Sequence, residues 1–253
     1  MLDRAALCST FIIKINNGVA GMQTQHQIPL ALQLQDEMSF ANFYAGHNPT
    51  LLATLRTMAH GRGAHYLYLW GHSDVGCTHL LHAVCNVASG IGLRSLYLSL
   101  AELDHLSLDV FEGLETLNVV CIDDVQSIAG KPDWEEAFFH CYNRMHAEQR
   151  RLIVAGNVPP KKLGVQLSDL ESRLAAGAVF QVQGLSDEEK LQATIFRAKA
   201  RGLTLPYDSA RFLLRHYLRD MCSLVEVLKK LDESSLVEKR RLTIPFIKEV
   251  LNI

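Results

Sequence analysis

Residues 65–80, HYLYLWGHSDVGCTHL, constrain this chain more than any other stretch. An apolar run long enough for one strand stops at Gly71, a second glycine follows at Gly76, and Thr78 offers a hydroxyl where a helical pattern opens. Strand, glycine-bearing loop and helix in that order wrap an anion with backbone N–H groups and add the positive end of a helix dipole. Gly71, His72, Ser73, Asp74, Val75, Gly76, Cys77, Thr78 and His79 are therefore the candidate nucleotide-binding loop. Where such loops carry lysine, this one has Cys77, a thiol with little charge at neutral pH. Backbone binding of a polyphosphate is expected to survive that exchange better than hydrolysis does.

Four more apolar runs follow, SLYLSL (95–100), LNVVCI (117–122), RLIVAG (151–156) and AVFQVQ (178–183), separated by helical stretches. Strands alternating with helices predict an α/β fold with a parallel five-stranded sheet. The third run delivers Asp123 and Asp124 to the sheet edge. With Thr78 they form a hard oxygen set suited to Mg2+, in which Asp123 would hold the ion through water and Asp124 would orient a nucleophilic water. Asn157, directly after the fourth run, reads either as a phosphate-sensing group or as a turn residue before Pro159 and Pro160. Beyond Gln183 the pattern becomes purely helical. Ser186 and Glu189 form a capping box, Pro206 leads a second helix, a third runs from about Asp220 to Val237, and a short one follows Thr243. The expected division is a flexible leader (1–38), an α/β nucleotide-binding domain (39–184) and a helical lid domain (185–253).

Composition excludes several classes. With 253 residues, 48% of them apolar and 21% charged, the chain buries a full core. A net charge of -2 gives no electrostatic case for wholesale binding to a nucleic-acid backbone. Residues 11–21, FIIKINNGVAG, are too short and polar to span a membrane. Six cysteines without a C-x-x-C pair suit reduced thiols and a cytoplasmic setting. Cys77, His79, His82 and Cys85 have zinc-ligand chemistry, but residues 77, 79 and 82 point in different directions on one helix, so a zinc site is not expected.

The loop at 71–79 followed by LNVVCIDDVQSIAG, RLIVAGNVPP, LSDLESRLAAG and a helical tail resembles the AAA+ module of the DnaA family of bacterial replication initiators, from about Ser39 onward. Two features are similar to the shorter regulatory members of that family, which inactivate the initiator. The sequence ends at TIPFIKEVLNI without a helix-turn-helix domain, so origin binding is not expected and DNA is met only through a clamp. Gln27, Leu30 and Leu32 in QIPLAL resemble the peptide that docks on the β sliding clamp of DNA polymerase III, where one glutamine and two leucines fill an apolar pocket.

The resemblance also implies roles for single residues. Arg173 in LESRL becomes an arginine finger acting in trans on the nucleotide of a neighbour. Phe40, Phe43 and Asn48 become walls of an adenine pocket, and Phe139 and Asn143, one helical turn apart, become a partner-facing surface. ADP is the implied nucleotide, with Mg2+ beside it. The partners implied are DnaA in its ATP form and the sliding clamp, with no membrane; self-association stays open. The chain departs from the family at two nucleotide contacts, where members carry cations and this sequence has Cys77 and, in RDMCSLVEVL, Cys222. Each lost charge-assisted contact removes roughly 1.5 to 3 kcal/mol before compensation. The expected function is activation of a partner's ATPase with negligible turnover of its own. The alternatives are an autonomous AAA+ ATPase of helicase-loader type, which needs the missing lysine, and a P-loop kinase, which needs phosphate-clamping arginines in the lid.

Overall fold

The computed structural model describes residues 38–216, 221–238 and 242–252. Gln27, Leu30, Leu32 and the segment 11–21 lie outside the described residues, as does the side chain of Cys222. The chain divides into two compact units. Of the described residues, the first holds 38–43, Pro49–His72 and Gly76–Val182, and the second Tyr44–Asn48, Ser73–Val75 and 183–252 apart from the gaps above.

In the first unit the elements run α1 (Pro49–Ala59), β1 (Tyr66–Trp70), α2 (Cys77–Gly90), β2 (Ser95–Ser99), β3 (Val119–Asp123), α3 (Pro132–Ala147), β4 (Arg151–Gly156), α4 (Ser168–Ala175) and β5 (Ala178–Gln181). All five expected strands form, four within their apolar runs and β3 reaching one residue beyond its run to Asp123. They pair in parallel in the order β2-β3-β4-β1-β5. The interior strands β3 and β1 are buried almost throughout, which is why they read as continuous apolar runs instead of alternating ones. On one face Tyr68, Leu98, Ile122 and Val154 pack with Phe111 and with Phe138, Cys141 and Met145 of α3. The alternate residues Leu67, Leu69, Cys121 and Ile153 are equally buried and serve the other face, where α2 meets α1, β2, β3 and β4. Each such fully buried side chain contributes about 1.5 to 3 kcal/mol against leaving it in water.

Parallel pairing brings every strand's carboxyl end to one edge. Gly71, Ser99, Asp123 and Gly156 thus line the crevice where parallel sheets hold their ligands. The helix α1 was not among the expected elements; Pro49 at its first position presets the helical φ.

The second unit is a helical bundle of α5 (Asp187–Ala200), α6 (Tyr207–His216), α7 (Met221–Glu238) and α8 (Ile244–Leu251). The expected capping box is present: the Ser186 hydroxyl accepts from the Glu189 N–H, and the Glu189 carboxylate accepts from the Ser186 N–H at 2.8 Å. Leu191, Leu213, Leu224, Leu228, Leu231, Phe246 and Ile247 make its core. Among the described residues no helix is long and apolar enough to cross a membrane.

Candidate functional site

The loop after β1 is built from backbone first. The Gly71 N–H donates to the Gly156 carbonyl at 3.2 Å, tying the loop's start to the end of β4. Asp74 (φ 70°) and Gly76 (φ 99°) both adopt the left-handed region. Aspartate tolerates it, and at Gly76 nothing larger fits, because a Cβ there would sit 2.8 Å from the Phe43 ring. Gly76 caps α2 without any side-chain bond, so the first-turn N–H groups of that helix stay available to an anion. His72, Ser73 and Asp74 are exposed, Val75 half-buried, and Gly71 buried.

Cys77 opens α2 as a half-buried free thiol. Burial, and then the charge of Asp123, push its pKa up to about 12. It therefore stays protonated at physiological pH and gives a bound phosphate no charge. Thr78 beside it donates its hydroxyl to Oδ2 of Asp123 at 2.7 Å, so the expected pairing of loop hydroxyl with strand carboxylate is formed. Asp123 also accepts from the Tyr97 hydroxyl at 3.1 Å and from the Asp124 N–H at 2.9 Å. Burial and the neighbouring Asp124 charge still outweigh these bonds and raise the Asp123 pKa to about 6. A carboxylate held under that penalty beside a hydroxyl and a second carboxylate suits a hard divalent cation such as Mg2+.

Asp124 itself sits at φ 57° just past the end of β3. Its Oδ2 accepts from the Ser99 hydroxyl at 3.0 Å and its Oδ1 from the Gln126 amide at 3.0 Å. The Gln126 carbonyl oxygen in turn accepts the Asn157 N–H at 3.2 Å, while Asn157 is exposed at the end of β4. Ser99 faces this cluster because β2 and β3 pair Ser99 with Asp123. Tyr97 stacks on His82 of α2 with ring centres 3.9 Å apart, and burial lowers the His82 pKa to about 4, keeping that ring neutral. Tyr97, Ser99 and Gln126 were not foreseen, nor was His82 as a ring partner of Tyr97: Tyr97 and Ser99 arrive by strand register, and Gln126 and His82 from the turn after β3 and from α2.

Other expected residues take more specific places. His79 is buried, with Nε2 2.8 Å from the Ser39 carbonyl, so its imidazole fastens the N-terminal segment, leaving its backbone to the loop. His82 and the buried Cys85 are turned to other neighbours, and among the described residues no three His, Cys, Asp or Glu side chains converge as metal ligands. Phe43 lies against Gly76, and Phe40 is buried under the Arg56 guanidinium at 5.4 Å. Asn48 is occupied: its amide donates to the carbonyls of Ala45 (3.2 Å) and Gln183 (3.0 Å), and its oxygen accepts the Gln183 N–H (2.8 Å). It joins two backbone segments of the second unit, and its side chain is not open to a base. Cys222 belongs to α7 by its backbone.

Arg173 is exposed on α4. Among the described residues its guanidinium has no ion pair; it lies 6.0 Å from the centre of the Tyr142 ring. Phe139 and Asn143 are both half-buried on α3, Phe139 packing against the core.

A left-handed loop leading into an uncapped helix, a hydroxyl bonded to a strand-end carboxylate and a separate helical bundle define a P-loop nucleotide-binding module with an AAA+ lid. Comparison with known proteins agrees. A family model for the bacterial DnaA ATPase domain matches residues 34–181, and one for the Hda lid domain matches residues 187–251. Domain III of the Thermotoga maritima replication initiation protein DnaA is similar at a TM-score of 0.68 and 20% identity, over 85% of this chain and 96% of that one. The AMPPCP-bound DnaA from Aquifex aeolicus is similar at 0.64 and 24% identity, over 76% and 64%. The Thermotoga maritima RuvB Holliday junction branch migration motor reaches 0.63 at 15% identity, over 87% and 73%. The chain belongs to the bacterial DnaA ATPase-domain family and is, by its lid, an Hda-like AAA+ protein.

Proposed function

We propose that this protein is a negative regulator of replication initiation which, held on the DNA polymerase III β sliding clamp through Gln27, Leu30 and Leu32, stimulates ATP hydrolysis by DnaA and leaves the initiator in its ADP form. The observation that carries the reading is the union in one chain of a DnaA-type ATPase module and an Hda-type lid. In this reading Arg173 acts in trans on the initiator's nucleotide. Its exposure, and the absence of an ion pair to it among the described residues, support the role, because a planar guanidinium not neutralised by a carboxylate can stabilise charge on a γ-phosphate.

The protein's own loop binds ADP for structure, and it turns over ATP negligibly. One feature supports this: Cys77 stays protonated, so the loop lacks the point charge that a lysine would bring to the γ-phosphate. Mg2+ bound by Thr78, Asp123 and Asp124 would neutralise the diphosphate; among these residues Thr78 and Asp123 hold each other in place for it.

The test is ATP hydrolysis by DnaA with DNA-loaded clamp. Arg173→Ala should keep fold and clamp binding yet lose a stimulation that arginine fingers bring to about 10³- to 10⁵-fold. Arg173→Lys should restore little, since a point charge lacks the planar fork. Undiminished stimulation by Arg173→Ala would overturn the reading.

A further inference from the structure

Arg173 stands over an aromatic ring, and the helix carrying it is fastened at both ends. Before α4, the N–H groups of Gln166 and Leu167 donate to the carboxylate of Glu135 at 2.9 and 2.8 Å, and that carboxylate is almost fully buried in α3. At the other end, the Tyr66 hydroxyl donates to the Leu174 carbonyl at 3.0 Å. Leu170 and Leu174 are buried between these anchors. Tyr66 meets Tyr142 edge to face, with ring centres 4.9 Å apart and an interplanar angle of 72°. Tyr142 is 5% exposed, and His146 one turn further along α3 lies nearly parallel to it at 6.2 Å. Its ring therefore cannot swing away, and among the described residues the guanidinium seated over that ring is that of Arg173.

We propose that Tyr142 is the positioning residue for Arg173: its fixed ring face shelves the guanidinium and presents it to the partner's nucleotide. The inference rests on the trans-acting role proposed above. The physics is that of a cation at a ring face, at the outer limit of useful distance, where the ring quadrupole attracts the charge. A long side chain on an exposed helix otherwise spreads over many rotamers, and a reacting group displaced by about 1 Å costs on the order of 100-fold in rate. Unlike a carboxylate, a ring holds the cation without neutralising it. The positive charge needed at the partner's γ-phosphate is kept. The Tyr142 phenol feels the same neighbour, since burial raises its pKa and Arg173 opposes the rise.

The experiment measures the maximal rate of DnaA ATP hydrolysis at saturating regulator on DNA-loaded clamp. Tyr142→Phe should retain that rate, and Tyr142→Leu should lower it by about 10- to 100-fold with little change in the concentration giving half-maximal stimulation. Adding Tyr142→Leu to Arg173→Ala should cause no further loss, because the shelf acts only through the guanidinium. Replacing Tyr142 by phenylalanines of increasing ring fluorination, which keep the shape and drain the ring face, should lower the rate stepwise; this arm stands even where Tyr142→Leu does not fold. A fluorination series with no trend overturns the shelf, as does a further loss in the double variant. If Arg173→Ala alone leaves stimulation intact, the functional reading fails. If Arg173→Ala abolishes it while the fluorinated series stays flat, that reading stands and only the shelf falls.

Discussion

Asp123 is where the needs of the site and of the fold conflict. Its carboxyl is 4% exposed, and its pKa rises from 3.8 to about 6 because burial and the Asp124 charge outweigh three donated hydrogen bonds. The folded state thus holds the proton more tightly than the unfolded chain. The group's contribution to stability is complete below pH 3.8 and is lost as pH rises through about 6, a swing of about 3 kcal/mol. Asp123→Asn should remove the swing. In urea unfolding the variant should exceed the wild type by ~1 to 3 kcal/mol at pH 7.5 and match it near pH 4. A difference independent of pH would show that burial of charge is not the cause. Millimolar Mg2+ should restore stability to the wild type at pH 7.5 and leave Asp123→Asn unmoved, since only the ionised carboxylate gains from the cation.

At the scale of elements, Glu135 is the joint between α3 and the segment entering α4. Besides Gln166 and Leu167, the Gly130 N–H donates to it at 2.7 Å. Glu135→Ala should cost roughly 3 to 5 kcal/mol in thermal or urea unfolding, and Glu135→Gln about half as much, because three N–H groups lose a charged acceptor worth roughly 1.5 to 3 kcal/mol each before water enters to offset part of the loss. Equal effects of the two substitutions would deny the charge any part. In the lid, Ser186→Ala should cost ~1 kcal/mol by opening the capping box. That box was legible in the sequence, since Ser186 and Glu189 have the required spacing and act within four residues. The five strands were legible for a similar reason: an apolar run shows its own burial. Their order was not, because nothing in RLIVAG says that it lies between the first and third runs. Site residues divide along the same line. Thr78 and Asp123 could be paired from their motifs, whereas Tyr97 and Ser99 meet the carboxylates only through the β2–β3 register. His79 and Asn48 are used by distant backbone carbonyls, partners that leave no trace in composition or spacing.

For the molecule as a whole, nucleotide affinity turns on charge supplied by few residues. Cys77→Lys should tighten ADP binding by roughly 10- to 100-fold in a fluorescent-nucleotide displacement assay, the worth of one charge-assisted contact. An unchanged affinity would mean that the backbone loop alone sets it. Replacing Leu30 and Leu32 by Ala should abolish clamp binding in gel filtration and leave the unfolding of both units unaltered; retained binding would remove the clamp from the proposed function. The sheet adds a consequence in time. β5 is an edge strand of four residues with Val179 39% exposed, while β3 is buried throughout between two neighbours. Backbone amides of β5 should therefore exchange with deuterated water orders of magnitude faster than those of β3. The helix bearing Arg173 runs into that edge strand, yet its ties lead inward, to Glu135 and Tyr66. The sheet can fray at its margin many times over while the guanidinium keeps its station.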